Sequence, residues 1–108
     1  LHDISILPLL IGSKDYPLCQ AFGEQLAEFA EEKKAVIIAS YNLYGTSADK
    51  LLVDALREIN TKKIYDLTAQ KRETGHFIAF AEAMKHLFAR QNNLLYYTAP
   101  YAAMTFNS

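Results

Sequence analysis

Ala35-Val36-Ile37-Ile38-Ala39 runs directly into Ser40-Tyr41-Asn42-Leu43-Tyr44-Gly45, and the fold is read from this stretch. The first five residues are apolar and rich in β-branched side chains, the pattern of a strand buried on both faces. The residues after them stand at its carboxyl end, where an open α/β sheet binds its ligands. That end carries no Asp, Glu, His, Cys or Lys. The architecture is therefore more legible than the chemistry.

On the amino-terminal side, Ile4 to Ile11 is mostly apolar and stops at Gly12. It reads as a second doubly buried strand, with Pro8 placing it at an edge or at a bulge. Gly12-Ser13-Lys14-Asp15 is a loop, and Pro17 sits where a first helical turn tolerates it. Leu18, Phe22, Leu26 and Phe29 then recur at helical spacing, an amphipathic helix of about four turns whose large side chains form the apolar stripe. Strand, helix and strand make a βαβ unit with a right-handed crossover.

On the carboxyl side, Thr46 or Ser47 can cap a helix whose stripe is Leu52, Ala55, Leu56 and Ile59. Asn60-Thr61 breaks it. Ile64, Tyr65, Leu67 and Thr68 suggest a short third helix, and Phe77, Phe80, Ala81, Met84, Leu87 and Phe88 a clear fourth. Leu94 to Tyr97 opens a third strand, which Pro100 interrupts and Ala102 to Phe106 continues. The order β-α-β-α-α-α-β predicts a three-layer α/β/α sandwich with a small, mainly parallel sheet. Three such strands need cover on both faces. The sheet is therefore expected to be completed by another segment or another chain.

Composition narrows the function. The chain has 108 residues, 51% hydrophobic and 21% charged, with a net charge of -1, and reads as one domain over residues 1–108. The absence of a basic excess argues against nucleic-acid binding. No apolar run reaches the ~20 residues of a membrane helix. Cys19 is the only cysteine, so an internal disulfide and a multi-cysteine zinc site are impossible and a cytoplasmic location is expected. Leu1-His2-Asp3 does not read as a signal peptide. Without an initiator Met, the chain reads as a fragment or as a processed or trimmed product.

Each candidate chemical residue has a plain structural reading beside it. His76 follows Gly75 at a helix start, where the ring is held neutral and able to ligate, or is simply half-exposed. His86 reads as a boundary residue and His2 as a terminal one, and no two histidines share the spacing of a helical metal pair. Cys19, in a first helical turn, is an activated thiol or a packing residue. Ser40 lacks the Gly-x-Ser-x-Gly elbow of a nucleophile. Gly12 and Ser13 place backbone N–H groups between a strand and a helix, an anion-binding candidate or an ordinary turn. Tyr41, Tyr44, Tyr96, Tyr97 and Tyr101 gather near strand ends, as a pocket rim, a subunit interface or the cover of a small sheet. The candidate pocket is Ser40, Asn42, Tyr44, His76 and Tyr97.

Three stretches together resemble the Memo-like family, whose fold is related to class III extradiol ring-cleaving dioxygenases. Ile6-Leu7-Pro8-Leu9-Leu10-Ile11-Gly12 with Phe22-Gly23-Glu24-Gln25-Leu26-Ala27 is similar to the family's Pro-x-Leu-x-Gly strand end and Gly-x-x-Leu-Ala helix. Val36 to Gly45 stands where the family has a strand leading into Ser-Ser-Asp-x-x-His-Tyr. Thr74-Gly75, the Phe77 helix and Leu95-Tyr96-Tyr97-Thr98 resemble its Cys-Gly helix start and its Leu-x-Tyr-x-x-Ser strand. The likeness runs through nearly the whole chain and corresponds to the second half of a family domain. Ser40 and Tyr44 match a serine and the tyrosine of the site motif. Its Asp falls at Tyr41 or Ser40, its His at or next to Leu43, and its helix-start Cys at Thr74.

A metal-dependent centre needs about three convergent His or carboxylate ligands, and this strand end offers none. The expectation is a pseudoenzyme: a non-catalytic half-domain with no cofactor and no metal, acting as a homo-oligomer or within a larger complex that completes the sheet. Two alternatives stay open. One is a metal-dependent enzyme whose site is shared across a subunit interface. The other is a small anion- or metabolite-binding α/β domain using Gly12 and Ser13.

Overall fold

The computed structural model describes residues 5–37, 39–40, 47–89, 95–99 and 102–105. Four helices dominate them: α1 (Tyr16–Lys33), α2 (Ser47–Arg57), α3 (Thr61–Thr68) and α4 (Thr74–Phe88). Three short strands accompany the helices: β1 (Ala39–Ser40), β2 (Leu95–Ala99) and β3 (Ala102–Thr105).

The core is built around α4. Phe77 to Met84 are buried without interruption, with Leu87 and Phe88 beyond them. A helix apolar on nearly all sides is an internal one, and α1 and α3 both pack against it. Leu52, Ala55 and Leu56 of α2 and Ile64 of α3 close the cluster. Leu56, Ile64, Ile78 and Met84 are fully enclosed, each contributing about 1.5–3 kcal/mol by burial.

The helix ends follow local chemistry. Asp15 caps α1, its side chain accepting from the Leu18 N–H at 3.1 Å, with Pro17 in the first turn. Asn60 caps α3 by accepting from the Lys63 N–H at 3.1 Å. Lys34, one residue past α1, has φ 53° and Ile59, two past α2, has φ 55°, the left-handed conformation common where a helix ends.

These observations overturn the expected three-layer α/β/α sandwich. Residues 5–15 form no strand, so neither the first strand nor the βαβ unit exists among the described residues. Ile6, Leu7, Leu9 and Leu10 lie exposed, Leu10 at 91%. Parallel pairing is limited to Ala39 with Thr98 and Ser40 with Ala99. The longer ladder, β2 with β3, is antiparallel over four residue pairs, so residues 102–105 fold back on β2 instead of extending it. The sheet is thus neither mainly parallel nor a middle layer between helices. The physical reason is that the helices satisfy one another. Val36, read as buried, is 72% exposed, while the apolar faces of α2, α3 and α4 are buried together.

The buried face of α1 also differs from the expected one. Cys19, Gly23, Ala27 and Ala30 are its buried residues, while of the bulky stripe Leu26 packs against the core only in part. A Cβ on Gly23 would meet the Ala79 carbonyl oxygen and the Glu82 Cβ, so the backbones of α1 and α4 approach too closely for larger residues. Leu18 and Phe29 are left 58% and 41% exposed.

Candidate functional site

The residues singled out from the sequence separate into two places. Ser40 ends β1 opposite Ala99 of β2, and Tyr97 lies in β2 opposite Ala103 of β3. Adjacent strands therefore carry these two residues. Asn42 and Tyr44 lie outside the described residues, as do Tyr41, Tyr101 and His2. His76 is in the first turn of α4, half-buried, and its recorded partner lies in the loop before α1.

That loop and the start of α4 form one tight cluster. The Ile11 N–H donates to Nε2 of His76 at 2.7 Å. Accepting at Nε2 leaves the imidazole proton on Nδ1. Gly75 presses against the same loop, where a Cβ would meet the Ser13 carbonyl oxygen, the Ile11 Cγ2 at 2.8 Å and the Cys19 Sγ at 3.2 Å. The Cys19 thiol donates to the Ser13 carbonyl at 3.6 Å. His76 of the pocket set and Ser13 of the anion set are thus brought to one junction. Gly75, which makes the junction possible, lies in the first turn of α4.

The chemistry open to this cluster is narrow. Cys19 is buried, and burial pushes its thiol above the ordinary value, a shift eased by its bond to Ser13 and reinforced by the charge of Asp15. A raised thiol pKa in an enclosed site describes an inert cysteine. Nε2 of His76 is engaged as an acceptor, so ligating a metal there requires breaking the tie to Ile11. Among the described residues, no group of three or more His, Cys, Asp or Glu could hold a metal ion.

The loop also satisfies its own donors. Ser13 Oγ accepts from the Asp15 N–H at 3.0 Å, and the Cys19 N–H donates to the Asp15 carbonyl at 3.0 Å. The Asp15 carboxylate stands at the α1 N-terminus, where an anion would have to bind. Its charge complements the helix dipole and repels a second anion. An Asx side chain three residues before Leu18, ahead of a proline, is a cap signature that identifies this in sequence.

Two buried polar contacts were not foreseen. Glu82 of α4 is buried and accepts from Thr61 Oγ1 of α3 at 3.0 Å. Lys85 Nζ and His86 Nε2 lie 3.9 and 3.8 Å from its Oε1. Thr74 and Thr68 share a hydrogen bond of 2.8 Å between buried hydroxyls. Glu82 sits amid apolar residues of α4, and no periodicity marks it as paired.

Comparison with known proteins bears out the resemblance to the Memo-like family. The chain is 28% identical over 108 residues to a MEMO1 family protein of Nitrosopumilus maritimus, covering 90% of this chain and 39% of that protein. It is 31% identical over 116 residues to a MEMO1 family protein of Methanococcus maripaludis, covering 91% of this chain and 41% of that protein. The chain thus spans about two fifths of the length of these curated relatives. No family model matches the chain, and no solved structure matches it.

Proposed function

We propose that residues 1–108 act as one Memo-like half-domain, a non-catalytic subunit that works by binding and assembly. The observation that carries this reading is the large apolar surface left open to solvent. Ile6, Leu7, Leu9 and Leu10 before α1, Leu18 and Phe29 on α1, and Val36 after it are all exposed. Single exposed apolar side chains are ordinary, but this number of large ones in so small a chain is the property of an interaction surface.

Residue chemistry supports the non-catalytic part. The expected ligand-binding strand end, Ser40-Tyr41-Asn42-Leu43-Tyr44, carries no side chain of the usual metal-ligating kinds. His76 spends Nε2 on the Ile11 amide. The Asp15 carboxylate at the α1 N-terminus weighs against the anion-binding alternative. A net charge of -1 favours protein partners over nucleic acid. A reducing, cytoplasmic setting suits a chain whose single cysteine has no internal partner. No helix among the described residues is long and apolar enough to cross a membrane.

Metal titration tests the reading. Purified chain is incubated with Fe(II), Cu(II) or Zn(II), passed through gel filtration and assayed for bound metal. The expected result is metal well below one equivalent, with thermal unfolding unchanged by each ion. One tightly held equivalent, lost on replacing His76 by Ala, would establish a metal centre and overturn the proposal.

A further inference from the structure

We infer that His76 is a latch opened by acid: it holds residues 5–11 against the start of α4 only while its imidazole is neutral, and a proton on the ring frees them to swing about Gly12. This goes beyond the assembly reading above and does not rest on it. The tie is the Ile11 N–H donating to Nε2 at 2.7 Å. A neutral imidazole has one acceptor nitrogen, and an imidazolium has none. A proton at Nε2 and the Ile11 N–H therefore compete for one lone pair. Histidine is the side chain whose ordinary titration places such an exchange between about pH 5 and about pH 8. The tie is made on the alkaline side of that exchange and lost as pH falls through it.

The geometry confines the release to one side of a hinge. Downstream of Gly12 the loop is held at several points. Ser13 Oγ accepts from the Asp15 N–H, the Ser13 carbonyl accepts from the Cys19 thiol, and the Asp15 carboxylate caps α1. Upstream of Gly12, among the described residues, the one hydrogen bond of residues 5–11 to another part of the chain is the Ile11 tie. Ile6, Leu7, Leu9 and Leu10 are exposed, so burial does little to hold the segment once that bond is gone. A Cβ built on Gly12 meets nothing within 4 Å. The hinge thus has open space around it and the backbone freedom of glycine.

The neighbouring charged groups leave the exchange to His76. Lys14 and Asp15 belong to the loop, Cys19 to α1, and Lys71, Arg72 and Glu73 to the turn before α4. Within α4 the next charged group is Glu82, more than a turn further on. Among the described residues, none of these is ion-paired with the imidazole. The Asp15 carboxylate is engaged by the Leu18 N–H. Burial pushes the Cys19 thiol up, so it keeps its proton throughout this range. His86, the other described histidine, stands 3.8 Å from Glu82, where a proton strengthens a contact instead of breaking one.

Amide hydrogen exchange of the whole chain, read by NMR from about pH 8 to about pH 5 and corrected for the intrinsic rate, tests the latch. Protection at Ile11 should fall about tenfold per pH unit once the ring takes its proton, the slope of a single-proton step. The Ile64 amide in α3 should keep its protection, and the Nε2 nitrogen shift of His76 should move over the same range. His76→Gln carries an acceptor oxygen that takes no proton here, and should make protection at Ile11 independent of pH. His86→Gln should leave the wild-type fall in place. Protection at Ile11 that stays level in the wild-type chain, or that falls equally in His76→Gln, overturns the inference. So does a fall abolished by His86→Gln, or one shared by Ile64, which would be unfolding of the core and not release of residues 5–11.

Discussion

The Ile11 N–H donates to Nε2 of His76 across 65 positions of sequence, fastening the loop before α1 to the first turn of α4. This one bond sets the end of the exposed apolar segment 6–10 against the core. Replacing His76 by Phe removes the acceptor and strands a partly buried amide, at a cost of about 1–3 kcal/mol. Hydrogen exchange should show the Ile11 amide losing protection while the α3 amides keep theirs. Unchanged protection at Ile11 would mean the tie is not made in solution.

Gly75 makes that junction possible. In an exposed helix Gly→Ala stabilises by about 1 kcal/mol. Here the new Cβ would collide with the Ser13 backbone carbonyl and crowd Ile11 and Cys19, and backbone cannot rotate away as a flexible side chain can. Gly75→Ala should therefore destabilise by about 1–3 kcal/mol, the range for overpacking, in chemical denaturation. A stabilised variant would show that the loop stands further off.

How much was readable divides along the same line. Helical periodicity located α1, α2, α3 and α4, because a 3.6-residue repeat is intrinsic to the chain. It misassigned the buried face of α1, since hydrophobicity favoured Leu18 and Phe29 while close packing on α4 required Gly23 and Ala27. The apolar runs at Ile4 to Ile11 and Ala35 to Ala39 read as paired strands, yet among the described residues only Ala39 of the two runs pairs, because composition does not show where a neighbouring strand is present to pair with. His76 was singled out, whereas its partner Ile11, being a backbone amide, left no sequence signal. Asn42 and Tyr44 of the candidate pocket lie outside the described residues.

The Cys19 thiol predicts an alkaline limit. Burial raises its pKa above the ordinary 9.0, so the folded state holds the proton more tightly than the unfolded chain. Its contribution to stability is complete below pH 9 and lost as pH rises through the folded value. Cys19→Ala should flatten the fall in stability just above pH 9, whatever its effect at pH 7. Tyr16, also raised by burial from an ordinary 10.0, leaves a residual fall at higher pH. Identical alkaline slopes in the two proteins would contradict this.

Lys34 offers a cleaner test of backbone strain. It is exposed and holds φ 53° at the end of α1, and a left-handed non-glycine residue costs about 1–2 kcal/mol. Glycine relieves that strain but adds freedom to the unfolded chain. Lys34→Gly should therefore gain a net ~0.5–1 kcal/mol, seen as a higher midpoint in urea with an unchanged slope. A loss of stability would place the helix end elsewhere.

The threonine pair at the α3–α4 junction predicts an asymmetry. Thr68 Oγ1 donates its only proton to the Ile64 carbonyl at 2.7 Å, so in the 2.8 Å contact the Thr74 hydroxyl must be the donor. Thr74→Val therefore leaves Thr68 still bonded to Ile64 and should cost at most about 1 kcal/mol. Thr68→Val leaves the Thr74 hydroxyl buried without its acceptor and should cost roughly 1–3 kcal/mol. Replacing both removes the stranded donor, so the double variant should be more stable than Thr68→Val alone. A thermal series on the three proteins reads the order directly. If Thr74→Val proved the more damaging single change, the proton would run the other way along the pair, and Ile64 would have lost its side-chain donor.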